Sequence, residues 1–164
     1  MPTDRIVDPA TIEFTRKLAD REAIRAVNPQ RYEMEQLDVI LSLDPELKII
    51  IGYRDVRPDE FWTRGHMPGN PILPGVLMCE AAAQLCSYYI THQKIMADGH
   101  ILGFGGMNEM RFRSTVKPGD RLVVIARGER LKRMACLFQV EGYVGDVLAF
   151  EGGIMGIALP IGAK

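Results

Sequence analysis

The sequence predicts an α+β domain in which a curled antiparallel sheet wraps one long central helix. The first observation behind this is a stretch over residues 75–93 in which Val76, Leu77, Met78, Cys79, Ala81, Ala82, Ala83, Leu85, Cys86, Tyr88, Tyr89 and Ile90 cover every side of a helix. A helix that is apolar all round is buried. The second is that the chain before and after it reads as strands joined by short turns, which places neighbours antiparallel. The third is size: 164 residues, 47% hydrophobic and 25% charged, suit one domain with one core. A buried helix in a chain of strands needs the sheet to close around it, and the alanines let the sheet come near.

The elements follow in order along the chain. Asp8-Pro9 reads as a helix start, with Asp8 as cap and Pro9 at the first helical position. Residues 9–27 form a charged, loosely amphipathic helix that Pro29 stops. It divides the chain into an N-terminal helical extension, 1–28, and a main domain, 29–164. The pattern leaves open whether the extension lies on the domain or faces a partner. Residues 37–43 and 47–53 are strands joined by the turn Asp44-Pro45-Glu46. Residues 54–74 are a loop rich in Pro and Gly, and the central helix starts at Gly75. Strands follow at 101–104, 110–116, 121–129, 133–143 and 147–159, with turns at Lys117-Pro118-Gly119-Asp120 and Gly145-Asp146.

Bulk properties exclude several classes. A net charge of -1 gives no reason to expect a nucleic acid or a membrane surface as partner. No apolar run reaches membrane-spanning length. Met1-Pro2-Thr3-Asp4-Arg5 lacks the charged-then-apolar pattern of a secretory leader. The three cysteines, Cys79, Cys86 and Cys136, read as reduced apolar residues of a cytoplasmic protein. His66, His92 and His100 show no ligand spacing, so no metal site is expected.

One segment carries the chemistry. Glu80 and Gln84 lie four apart on one face of the central helix and are its only strongly polar residues over three turns. Glu80 reads either as an acid satisfied by Gln84 for structural reasons or as a catalytic group. Burial raises a carboxyl pKa, which favours a proton donor near neutral pH. His66 sits in a loop stiffened by Pro68, Pro71 and Pro74. It reads either as an ordinary loop histidine or as a group placed accurately for catalysis. Gly75 presents a backbone N–H at the positive end of the helix with no side chain to block a ligand. That is a candidate oxyanion hole. A base beside a carbonyl, a donor polarising it and an acid for a leaving hydroxyl describe loss of water from a 3-hydroxyacyl compound, or its reverse.

The run His66-Met67-Pro68-Gly69-Asn70-Pro71-Ile72-Leu73-Pro74-Gly75-Val76-Leu77, with Glu80 and Gln84, resembles the signature of the FabZ-type 3-hydroxyacyl-[acyl-carrier-protein] dehydratases. Pro29-Gln30-Arg31-Tyr32 is similar to that family's Pro-His-Arg-Tyr. Arg111-Phe112-Arg113 and Val116-Lys117-Pro118-Gly119-Asp120 resemble its Arg-Phe-Arg and Val-x-Pro-Gly-Asp segment. The resemblance covers residues 24–158. It implies a hot-dog fold and a homodimer, often assembled as a trimer of dimers. It implies dehydration of 3-hydroxyacyl-[acyl-carrier-protein] to the trans-2-enoyl form in fatty acid biosynthesis. His66 would be the base on Cα, Glu80 of a neighbouring protomer the acid at the 3-hydroxyl, and the Gly75 N–H the holder of the thioester oxygen. Gly75, Val76, Gln84 and Met67 make up the expected substrate-binding set. No cofactor is implied beyond the phosphopantetheine arm of acyl carrier protein, the expected partner. The chain departs from the family at Met67, where phenylalanine is usual, at Gln30, where histidine is common, and at Glu33-Met34-Glu35, which replaces Pro-Phe-Leu.

An acidic carrier protein needs basic residues to dock, and Arg127, Arg130, Lys132 and Arg133 form the densest basic cluster. Two other functions are compatible with the pattern: a hot-dog acyl thioesterase, and a non-catalytic subunit that binds the carrier.

Overall fold

The computed structural model describes residues 5–162, so Met1-Pro2-Thr3-Asp4 of the leader reading lies outside the described residues. Its centre is a helix, here α2 (Gly75–His92). Ahead of it come a short helix α1 (Arg21–Val27) and the strands β1 (Val39–Asp44) and β2 (Ile49–Asp55). After it come β3 (His100–Phe112), β4 (Arg121–Leu131), β5 (Ala135–Val144) and β6 (Val147–Pro160). All six strands form one antiparallel sheet in the order β1-β2-β4-β5-β6-β3. The expected α+β architecture of a wrapped helix is therefore present.

Alternation along the strands decides which residues meet the helix. Ile50, Leu122, Val124, Ala126, Phe138, Val140 and Phe150 pack with Ala81, Ala82, Leu85, Cys86, Tyr89 and Ile90 of α2 in the main core. The approach is close at Gly52 of β2. A Cβ there would stand 2.8 Å from the Val39 carbonyl oxygen and 2.9 Å from Leu85 Cδ1. The three cysteines are free and buried, and burial raises their thiols, as expected of small apolar residues.

The opposite sheet face is also covered. Val39, Leu41, Ile51, Tyr53, Val123, Ile125 and Tyr143 form a second cluster, closed by Ile6 from the N-terminal segment. The Ile6 N–H donates to the Glu141 carboxylate at 3.2 and 3.1 Å, and the Tyr143 hydroxyl donates to the same group at 2.9 Å. The N-terminal segment thus lies on the sheet.

Two elements differ from the sequence expectation. The helix expected over 9–27 is a single 3-10 turn at Pro9–Thr11, then an extended run, then α1. Asp8 caps the turn as expected, accepting the Ala10 N–H. Just before Asp20 the backbone turns to β1 instead: Leu18 and Ala19 donate to the Ile40 carbonyl, and Ile40 donates back to Ala19. Asp20, whose side chain accepts the Ala23 N–H, is the true helix start. The strands expected at 101–104 and 110–116 are one strand, β3, with register shifts between Phe104 and Gly106 and between Asn108 and Arg111. These bulges break the side-chain alternation that periodicity relies on. Arg113–Val116 lie beyond its end.

Replacing Gly52 by alanine pushes a methyl into the Val39 carbonyl and Leu85. The expected loss is about 1–3 kcal/mol of unfolding free energy, read from urea denaturation midpoints at unchanged slope.

Candidate active site

The loop carrying His66 is held by its own backbone. His66 N–H donates to the Trp62 carbonyl at 2.8 Å, Gly65 N–H joins it at 3.1 Å, and Ile72 N–H donates to the His66 carbonyl at 3.0 Å. Leu73 N–H ties the loop to the Val116 carbonyl at 2.7 Å. Pro68, Pro71 and Pro74 fix φ between these anchors. The imidazole completes the pattern: His66 Nδ1 lies 2.8 Å from the Ile72 carbonyl oxygen. A carbonyl oxygen only accepts, so Nδ1 carries the hydrogen. In the neutral ring Nε2 then holds the lone pair, and a fixed Nε2 lone pair is what a general base needs. His66 is half-buried, while Met67 beside it is exposed.

Pro74 ends the loop at the N-cap of α2 and offers no side-chain cap. Gly75 and Val76 are the first helical residues, and their N–H groups meet no acceptor among the described residues. They point along the positive end of the helix dipole. The Phe112 ring closes over this spot: a Cβ on Gly75 would stand 2.7 Å from its Cζ. A side chain at this position would have to displace the Phe112 ring.

Glu80 is half-buried, not the fully buried lone acid that the apolar helix suggests. The reason is that the sheet leaves one stripe of α2 uncovered. Val76 is 69% exposed, and Glu80 and Ala83 on the same stripe are only partly covered. Glu80 and Ala83 line a small recess with Gln30, Leu102, Phe104 and Ile154, and His66 is not among its lining residues. Glu80 Oε1 accepts a hydrogen bond from Gln84 Nε2 at 2.8 Å.

Gln84 is 2% exposed and fully engaged. Its Nε2 also donates to the Met34 carbonyl at 2.6 Å, and its Oε1 accepts the Gln36 N–H at 2.9 Å. Asn28 Nδ2 donates to its backbone carbonyl at 2.9 Å. Gln84 therefore orients Glu80 and ties the segment 28–36 to the helix. Its side-chain atoms are taken up by Glu80, the Met34 carbonyl and the Gln36 N–H.

The basic residues expected to dock a carrier cluster at the β4–β5 hairpin, with Arg130, Lys132 and Arg133 exposed. Arg127 is partly engaged, donating to Gln139 Oε1 at 2.6 Å. Sequence reading missed Arg54 and Gln36, both buried. The signal for Arg54 was present, since it shares strand parity with the inward Ile50 and Gly52, where a charge is unexpected. Nothing in the local pattern marks Gln36.

Comparison with known proteins places the chain. Residues 28–152 match the family described as FabA-like domain. The 3-hydroxyacyl-[acyl-carrier-protein] dehydratase FabZ of Desulfotalea psychrophila is 37% identical over 128 residues, 77% of this chain and 85% of that protein. The enzyme of the same name from Desulforamulus reducens is 36% identical over 138 residues, 84% of this chain and 96% of that protein. Among solved structures, the dehydratase heterocomplex ApeI:P from Xenorhabdus doucetiae superposes with a TM-score of 0.69 at 15% identity, covering 83% of this chain and 90% of that one. That likeness speaks for the fold.

Gln84→Leu strips Glu80 of its partner and leaves the buried Gln36 N–H without an acceptor. The expected cost is about 1–3 kcal/mol in unfolding free energy, measured by chemical denaturation.

Proposed function

This chain belongs to the FabA-like domain family, and on that premise we infer that it is a hot-dog dehydratase removing water from 3-hydroxyacyl chains carried on acyl carrier protein, as a step of fatty acid biosynthesis. The observation that carries the reading is the His66 hydrogen bond to the Ile72 carbonyl, which leaves Nε2 as a base in a loop locked by its own backbone.

The chemistry runs through three groups. His66 Nε2 removes a proton from Cα of the thioester. The charge moves onto the carbonyl oxygen, where the Gly75 N–H at the start of α2 stabilises it. As the electrons return, the Cα–Cβ double bond forms and the bond from Cβ to the hydroxyl breaks. Glu80 protonates the departing oxygen, which leaves as water. His66 then holds a proton and Glu80 lacks one, and exchange with solvent restores both. The cycle needs no cofactor beyond the carrier's phosphopantetheine arm. Arg127, Arg130, Lys132 and Arg133 are the proposed contacts for the acidic carrier. The free, buried cysteines suit a cytoplasmic enzyme.

The active unit is a homodimer in this reading, and a trimer of dimers is the proposed assembly. β3 lies at one end of the sheet order, with one edge facing no strand among the described residues. It is 13 residues long and exposes Ile101, Phe104, Met107 and Phe112. A long apolar edge of this kind is a template for another strand. A second copy placed there also covers the Val76–Glu80–Ala83 stripe, so that Glu80 of one protomer serves His66 of its partner.

His66→Ala and Glu80→Gln are each expected to lower kcat for carrier-bound 3-hydroxyacyl substrate by about 10²–10⁴-fold. Both residues are half-buried, so circular dichroism and the melting temperature should stay near the wild type. The check is enoyl product formation followed by absorbance, and full activity in either variant removes the assignment.

A further inference from the structure

Arg54 is the largest fully buried polar side chain of the described residues, at 2% exposure, and it points into the core from β2. Taking a guanidinium out of water is costly. At this inward position a residue like its neighbour Ile50 would bury without that cost. Its guanidinium holds two acceptors at once: one terminal nitrogen donates to Gln36 Oε1 and the other to Glu60 Oε2. Both partners then lead to the candidate site. On one side, the Gln36 N–H donates to Gln84 Oε1 at 2.9 Å, and Gln84 Nε2 donates to Glu80 at 2.8 Å. On the other, Glu60 Oε2 accepts the Trp62 indole N–H at 2.9 Å and Glu60 Oε1 accepts the Arg57 N–H at 2.8 Å. The Trp62 carbonyl is the acceptor that anchors His66 N–H.

We propose that Arg54 is a positioning residue, whose planar fork joins the acid-bearing helix to the base-bearing loop through the chain Glu80, Gln84, Gln36, Arg54, Glu60, Trp62 and His66. The proposal rests on the dehydratase reading. Burial pushes the Glu60 carboxyl up, but Arg54, the Arg57 N–H and the Trp62 indole together hold it below its ordinary value. It therefore stays an anion that grips Arg54. The rigid guanidinium suits two acceptors at a fixed angle, which a lysine ammonium on a flexible stem does not reproduce. In the proposed dimer the Glu80 and His66 so tethered serve the two different sites. One buried cation thus sets the acid of one site and the base of the other against a single protomer frame, and accurate placement of each reacting group is worth large factors in rate.

The test compares Arg54→Met, Arg54→Lys and Gln36→Met with wild type in steady-state dehydration of 3-hydroxyacyl-acyl carrier protein, with rates normalised to folded protein by circular dichroism and gel filtration. Arg54→Met should lose about 10–100-fold in kcat with KM within about twofold. Gln36→Met keeps the backbone bond to Gln84 and removes the link to Arg54 together with the Nε2 bond to the Glu33 carbonyl; it should lose about threefold to tenfold in kcat. Arg54→Lys should fall between Arg54→Met and wild type. Should Arg54→Met fail to fold, Gln36→Met decides alone. A folded variant series with kcat within twofold of wild type, or with the loss in KM only, overturns the proposal while leaving the dehydratase reading intact. A wild-type protein without turnover overturns that reading and this proposal with it.

Discussion

The close fit of α2 inside the sheet is the constraint on which the rest of the molecule depends. Small residues, Ala81 and Ala82 on the helix and Gly52 on β2, bring helix and sheet together until a single added methyl has nowhere to go. That contact fixes the angle at which the helix leaves the loop at Pro74, and so where the free N–H groups of Gly75 and Val76 stand. It also determines what stays open. Ahead of its exposed last turn the helix is left most open along Val76, Glu80 and Ala83, and the only strongly acidic group of the helix lies on that stripe. The position of the acid is thus a consequence of how far the sheet wraps.

Polar groups inside this apolar frame are few and linked. Gln84, Gln36, Arg54 and Glu60 would each be expensive to bury alone. Joined, they satisfy one another and reach the backbone at Met34, Arg57 and the indole of Trp62. Arg54 Nε alone in this set has no partner among the described residues. A hydrophobic core of the same volume would serve stability as well, which turns attention to what the network holds in place. Its two ends are a carboxylate and the anchor of a histidine loop.

Much of this is legible in the sequence, for identifiable reasons. The apolar helix, the hairpins and the proline-bound histidine loop depend on local rules, and the structure has them within a few residues. The N-terminal helix misleads because Asp8-Pro9 does cap a turn, but Leu18 and Ala19 pair their backbone with Ile40 of β1 instead of continuing a helix. β3 reads as two strands because its bulges at Gly105 and Glu109–Met110 hide a continuous one. Gln36 gives no local signal, because its importance comes from partners 48 and 18 positions away. The uncovered stripe on α2 is hard to read, since its one polar residue, Glu80, lies between Val76 and Ala83, while Gln84, the other polar residue of these turns, is buried. Arg54 is readable in principle from strand parity.

The uncovered edge of β3 and the uncovered stripe of α2 adjoin through the recess that Glu80 shares with Leu102 and Phe104. In the proposed dimer a second protomer closes both, and each catalytic site draws His66 and Glu80 from different chains. Subunit mixing tests this most directly. Inactive His66→Ala and Glu80→Gln proteins are dissociated, combined in equal amounts and reassociated. Random exchange makes half of the dimers mixed, each with one complete site, so about a quarter of wild-type dehydratase activity is expected to return. Mixed dimers that form and remain inactive would contradict the shared site, because they would place both residues of each site on one chain.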